Sequence, residues 1–345
     1  MKGNFKSLTD LAAEVERQEA VKNDYIVPSE KMVMVDDEHL TIQNGGQENY
    51  KINDYAHGQI ATKLGIPKTY YDRLIEVPAL RQTNVNAWLN HEPKRFTVRT
   101  LDNTMRALLS DRFRPLDNFL ILSAFLPVVQ EHQNLEVMSN ALTETRMYLQ
   151  FKFPKLEGEV LQGDVVQAGI ILTNSEVGAG AVDVKAMIWR LKCINGLIGE
   201  SVLRKYHVGR RIGENEEDYA LFSDETIQSE IGTFKLKLRD VIKNALSEVK
   251  FQDQLAKMRI AADDKIPDIP KTVENITKRY MLTENEGRKV ITNMVADGNS
   301  TRWGLINGIT ALAHDIESRD KQYEIERLGQ RIVDLKPNEW QEIVN

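Results

Sequence analysis

Apolar positions in residues 7–20, SLTDLAAEVERQEA, recur at helical spacing and predict a short amphipathic helix that Ser7 or Thr9 can cap. Residues 31–43, with the run MVMVDDEHLTIQ, alternate apolar and polar and predict a hairpin, followed by a turn at Asn44-Gly45-Gly46. Residues 53–71 predict two helices separated by Gly65-Ile66-Pro67. From residue 95 the period shortens. RFTVRT (95–100) and TMRALL (104–109) predict strands joined by a turn at Leu101-Asp102-Asn103. Asp117 or Asn118 can cap an apolar helix over 119–132. Residues 135–153 predict two further strands. DVVQAGIILTN (164–174) and AVDVKAMIWRL (181–191) pair across the Gly-rich SEVGAG turn. This block predicts an antiparallel sheet of about six strands with helix 119–132 inserted in its order. From about 225 the period returns to 3.6, with Ile227, Ile231, Phe234, Leu238, Val241, Ile242, Leu246 and Val249 on one face. IPDIP at 266–270 breaks that run. Helices over 271–280, 283–296, 301–317 and 320–333 follow, the third capped at Asn299-Ser300-Thr301.

The fold class predicted is therefore α+β. An N-terminal helix and hairpin segment (1–93) precedes an antiparallel sheet domain with a crossing helix (94–224) and a helical domain (225–345). The chain has 345 residues, enough for a sizeable core without staples. Cys193 is its one cysteine, which rules out a disulfide framework or a Cys-based zinc site within one chain. It sits in an apolar strand-like run and reads as a buried, inert thiol. No apolar stretch approaches the ~18 residues of a membrane span, and the start lacks a signal-peptide run, so a cytoplasmic protein without membrane contact is expected.

Enzyme signatures are missing. There is no Walker-type loop and no dinucleotide fingerprint. Gly178-Ala179-Gly180 lies between two predicted strands and reads as a hairpin turn. The six histidines have no metal-ligand spacing, and His132 reads as a cap or surface residue. Asp36-Asp37 and Asp263-Asp264 read as solvated turns, because neighbours at i, i+1 diverge on a helix. A non-enzymatic protein without metal or cofactor is expected.

Charge patterning says more. The net charge is −6, which argues against a uniformly basic coat. Within 94–115, however, Lys94, Arg95, Arg99, Arg106, Arg112 and Arg114 face only Asp102 and Asp111. Residues 204–211, RKYHVGRR, hold four basic residues and no acid. Phe96, Phe113, Trp189 and Tyr206 are interleaved. Cations that track phosphates, with flat rings that stack on bases, are what a single strand requires. Arg95, Arg99, Arg112, Arg114, Arg204, Lys205, Arg210 and Arg211 are the expected phosphate contacts. Phe96, Phe113 and Tyr206 are the expected stacking residues, with His207 in the same segment. The alternative is that the rings belong to the core and the arginines form ion pairs. Residues 212–231 carry seven carboxylates and no Lys or Arg, among them Glu214, Glu216, Glu217 and Asp218. They could pair with the basic run, in this chain or a neighbouring subunit. Gly304 and Gly308 inside a helix cost about 1 kcal/mol each relative to Ala, which close packing against another backbone would offset.

SDRFRPLDN (110–118), ILTNSEVGAGAVDVKAMIWRLKCINGL (171–197), RKYHVGR (204–210) and TRWGLINGITALAHD (301–315) resemble the phage- and plasmid-borne family known as domain of unknown function 932. The match includes Cys193, Asn195, Leu197, His207, Trp303, Gly304, Asn307 and Thr310. It departs at Gly308, where Ala is usual, and the N-terminal Trp-His-Gly element is absent. The resemblance implies a bacteriophage or other mobile-element origin and no established activity. More distantly, a curved antiparallel sheet crossed by a helix is similar to the single-strand annealing recombinases, which form rings or filaments without nucleotide hydrolysis.

The expected function is a non-enzymatic phage DNA-binding protein, a single-strand annealing or recombination factor. Its partners would be single-stranded DNA and further copies of itself in a ring or filament. The alternative is a phage structural or host-interaction protein acting through protein contacts.

Overall fold

The structure is a computed structural model and describes residues 5–43, 46–113, 116–130, 135–205, 224–245 and 247–345. Helix α1 (Leu8–Val21) starts at Ser7, whose hydroxyl accepts the Asp10 amide. Strands β1 (Asn23–Pro28), β2 (Met32–Met34), β3 (His39–Gln43) and β4 (Gln47–Ile52) lead into helices α2 (Asp54–Lys63), α3 (Lys68–Arg73) and α4 (Pro78–His91). Strands β5 (Arg95–Leu101) and β6 (Thr104–Ser110) complete a six-stranded sheet in the order β1-β5-β6-β4-β3-β2. All its pairings are antiparallel except β4–β6. Asp102 and Asn103, both with φ near +50 to +60°, make the tight turn between β5 and β6.

Strands β1 and β2 occupy opposite edges of this sheet, yet only Ser29–Lys31 join them. That connection spans at most about 14 Å. A flat six-stranded sheet would hold its edges roughly 24 Å apart. The sheet must therefore curl until its edges approach. One face holds Met34, Ile42, Ile52, Val98 and Leu108 against Ile60 of α2, Tyr71 of α3 and Val85 of α4.

Helix α5 (Asn118–Gln130) leads to β7 (Glu136–Leu142), β8 (Met147–Glu159), β9 (Val165–Asn174), β10 (Val182–Arg190) and β11 (Asn195–Lys205), a five-stranded antiparallel meander. The C-terminal region is helical: α6 (Asp224–Ala245), α7 (Glu248–Asp263), α8 (Ile269–Tyr280), α9 (Glu284–Asp297), α10 (Arg302–Thr310), α11 (Arg319–Val333) and α12 (Pro337–Val344). One face of the meander buries Leu149, Phe151, Ile170 and Val184 against Phe125 of α5 and Leu238 of α6. The same face, toward the β10–β11 turn, buries Val166, Ile188 and Leu197 against Leu255 of α7 and Trp303 of α10, and the opposite face buries Tyr148, Ile171, Met187 and Trp189 with Tyr323 of α11. Burial on both faces explains the near-continuous apolar runs of β9 and β10. Each large side chain so buried contributes roughly 1.5–3 kcal/mol.

Patterning assigns all these central strands to one sheet, and the structure divides them. Strands β5 and β6 join the N-terminal strands, so a boundary at 93/94 would cut through the first sheet. The run 225–262 is two helices, α6 ending at Ala245 and α7 starting at Glu248. Helix α10 stops at Thr310 and tightens into a 3-10 turn over Ala311–Asp315. Its start is as patterned, with the Thr301 hydroxyl accepting the Gly304 amide. The helix-interior glycine has an internal cause: a Cβ on Gly304 would lie 2.0 Å from the Asn299 carbonyl oxygen. Strands β1 and β11 and helices α4 and α12 are not evident in the patterning. Asn44 and Gly45 of the proposed turn lie outside the described residues.

Candidate functional site

The two sheets meet at the tip of the β9–β10 hairpin, residues 175–181. Gly178, at φ +80°, turns the tip and approaches Leu109 so closely that a Cβ would lie 2.6 Å from its side chain. Leu109 packs there with Ala107, Phe113 and Val177. Beside this apolar contact lies a buried ionic network. The Arg99 guanidinium donates Nε to Asp24 Oδ1 (2.8 Å), Nη2 to Asp117 Oδ1 (2.7 Å) and Nη1 to the Glu176 carbonyl (2.7 Å). Lys22 also donates to Asp117. Burial works against a charge on Asp117, but Arg99 and Lys22 outweigh it and hold its pKa below the ordinary range. The Glu176 carboxylate accepts Arg106 Nη1 (2.6 Å) and the Asn118 amide (2.6 Å). A carboxylate from the hairpin tip thus satisfies a free amide at the start of α5. Asn174 completes the junction, donating to the Asn118 side chain (2.8 Å) and the Leu116 carbonyl (2.9 Å). The segments SDRFRPLDN and TNSEVGAG, far apart in sequence, form one joint.

This geometry sorts the expected DNA contacts. Arg99 is fully buried and spent on carboxylates, so it cannot present a charge to a phosphate. Phe113 is buried in the apolar contact with Arg99 over its ring at 5.8 Å, so it offers no face to a base. Phe96 and Trp189 are core as well. Arg95 and Arg112 are exposed. Phe96 pairs with Ser110, so the start of β5 and the end of β6 bring Arg95 and Arg112 to one end of the hairpin. Arg204 and Lys205 end β11, opposite Asp183 and Val182 at the start of β10, where the chain leaves the tip that packs on Leu109. The strand ends of both basic segments therefore flank one hairpin tip. Arg114, Tyr206, His207, Arg210 and Arg211 lie outside the described residues, as do His132, Glu214, Glu216, Glu217 and Asp218.

A cavity of about 230 Å³ opens beside the junction, between α1, the β5–β6 turn and the β7–β8 turn. Arg17, Arg106 and Arg146 line it with Asp102, Glu144 and Glu176. Arg17 donates to both oxygens of Asp102 at 2.7 Å. Patterning counts Arg106 only as one more basic residue. Its signal is a lone cation amid Met105 and the apolar run Ala107–Leu109.

A second polar centre lies at the opposite end of the meander. Arg190 donates Nε and Nη2 to the two oxygens of Asp164 (2.7 and 2.9 Å) and Nη2 to Asp297 (3.0 Å). The Trp303 indole donates to Asp164 at 2.8 Å. Cys193 is half-buried in the β10–β11 turn, with its sulfur 3.8 Å from Arg190 Nη1, rather than buried within a strand. A third polar layer joins the meander to α11. Glu326 accepts Gln150 Nε2 at 2.9 Å, Tyr148 donates to Asp320, and Lys185 donates to the Tyr323 hydroxyl at 2.8 Å. Burial pushes the Glu326 carboxyl up to about 7, with Arg319 and Gln150 pulling the other way.

Among the described residues no helix is long and apolar enough to cross a membrane. No curated protein and no solved structure matches the chain. The family described as "Domain of unknown function (DUF932)" matches residues 107–332, which hold the hairpin tip, Glu176, the Arg190–Asp164–Trp303 centre and Glu326. That span is more than half of the sequence, and the chain belongs to the DUF932 family.

Proposed function

We propose that this chain is a non-enzymatic phage-type protein that binds single-stranded DNA, acting in annealing or recombination as an oligomer. One observation supports the reading: the strand ends carrying Arg95, Arg112, Arg204 and Lys205 flank a single hairpin tip. Basic residues carried on strand ends around one tip can follow a phosphate backbone, and the ionic joint beneath ties the two sheets together there. Arg99 and Phe113 belong to that joint and not to the contact surface. Filter binding of a labelled single-stranded oligonucleotide at two salt concentrations tests the reading. Affinity should fall steeply with salt, with a log–log slope of about −0.7 per phosphate contact. A flat response, or no binding at low salt, removes it.

A protein-interaction role rests on a different observation. Tyr70 of α3, Ile75 and Val77 of the connection that follows, and Leu80 of α4 are 42%, 64%, 51% and 43% exposed. Size-exclusion chromatography with and without the oligonucleotide separates the readings. A complex that forms only with the oligonucleotide favours DNA binding.

A further inference from the structure

A groove of about 730 Å³ lies between α8, α11, the start of α12 and strands β10 and β11, on the face of the meander that α11 covers. Its lining is cationic, in a chain whose net charge is −6. Arg279 stands near the end of α8, and Arg327 and Arg331 stand one turn apart on α11. Lys185 of β10 lies buried behind them. Its Nζ is 5.3 Å from the Tyr323 ring centre, and the Arg327 guanidinium carbon is 5.6 Å from the same point. Two acids also line the groove, and both already have donors. Asp334 accepts Lys257 at 2.7 Å and Gln330 at 2.9 Å, and Glu339 accepts the Lys336 amide at 3.0 Å. The arginines are held more loosely. Arg327 pairs with Glu324 of its own helix at 3.1 Å, Arg279 reaches Glu342 only at 3.7 Å, and Arg331 has no ion pair among the described residues. The Arg279 and Arg327 side chains are 38% and 30% exposed, and Arg331 is exposed as well, so all three are open to solvent.

We infer that this groove binds a small organic phosphate carrying two or more negative charges, held by Arg279, Arg327 and Arg331. Like charges at i, i+4 on a helix repel, and an anion between Arg327 and Arg331 removes that repulsion. A concave surface lined by one sign of charge concentrates ions of the other, and a guanidinium grips two phosphate oxygens side by side. Three arginines from two helices, with Lys185 behind them, match more than one phosphate charge. The groove's volume falls within the ~300–1,000 Å³ of small-molecule sites and exceeds what a bare phosphate fills. Ile198, Tyr280 and Leu335 supply apolar surface for the organic part. A nucleoside diphosphate has both parts, with phosphates for the arginines and a flat ring for Tyr280. None of these residues is among those assigned to DNA.

Isothermal titration of the full chain with ADP and with pyrophosphate, at fixed ionic strength, tests this. ADP should bind, and pyrophosphate should bind more weakly. A variant carrying Arg279→Ala and Arg331→Ala should lose about tenfold or more in ADP affinity. Both positions are exposed, so that variant should keep the native Tm. Its oligonucleotide binding should be unchanged, which separates a failure here from a failure of the DNA reading. No binding of either ligand overturns the proposal, as does an ADP affinity that the variant retains. Pyrophosphate binding as tight as ADP contradicts a site for an organic phosphate. Parallel losses of ADP and oligonucleotide binding in the variant also overturn it, because the arginines then belong to the DNA surface.

Discussion

The joint between the sheets and the layer beneath α11 bury charge in opposite ways. At the joint, Arg99, Arg106 and Lys22 are set against Asp24, Asp117 and Glu176, and Arg99 and Lys22 hold the Asp117 carboxyl below the ordinary range. Under α11, Glu326 meets a neutral Gln150 side chain and is deeply buried, so its carboxyl is raised to about 7. Paired charges lock elements of different sequence origin in one geometry. A neutralised carboxyl keeps its packing but leaves a pH-sensitive seam.

The largest effect is expected from breaking the joint. Glu176→Ala strips Arg106 of its partner and α5 of its terminal acceptor, and should cost about 3–5 kcal/mol in denaturant unfolding. Next is the seam. The raised Glu326 pKa contributes stability that is fully present below its ordinary 4.5 and is lost as pH rises through about 7. Glu326→Gln should therefore gain on the native chain across that window, approaching about 3 kcal/mol above it. Asp117 has the opposite sign. Its depressed pKa contributes stability above the ordinary 3.8 that is lost as pH falls further, so Asp117→Asn should flatten the acid limb of the stability profile. Equal pH profiles for the two variants would erase the contrast between the regions. Gly304→Ala tests packing away from both. The clash with the Asn299 carbonyl should cost roughly 1–3 kcal/mol in thermal unfolding despite the better helix propensity of Ala. The smallest stability effect belongs to the exposed Arg95→Ala and Arg112→Ala, each within about 0.5 kcal/mol of the native chain by urea unfolding.

Local signals in the chain were sound where short-range physics decides. The alternation in RFTVRT and TMRALL, with Asp102-Asn103 between, specifies a hairpin, and Ser7 and Thr301 cap their helices. Long-range cover was not legible. Strand spacing puts Arg95 and Arg99 on one face, but nothing local says that a hairpin tip from 77 residues further on closes over Arg99 alone. Asp117 looks like a helix cap, and its carboxylate goes to Arg99 while Glu176, 58 positions beyond Asn118, serves the helix. Strand β11 is obscured by Gly196, Gly199 and Glu200, and α4 by the polar residues among its apolar ones. Glu326 sits in a helix rich in charge, where nothing marks it as the buried one.

Whether the charges around the hairpin tip act together can be read from fluorescence anisotropy of a labelled single-stranded oligonucleotide, comparing the native chain with one carrying Arg95→Ala, Arg112→Ala, Arg204→Ala and Lys205→Ala. The variant should fold normally, bind at least about tenfold more weakly, and show a salt slope shallower by about 3. Equal affinity and equal slope for the two proteins would contradict a DNA-binding edge built on these strand ends.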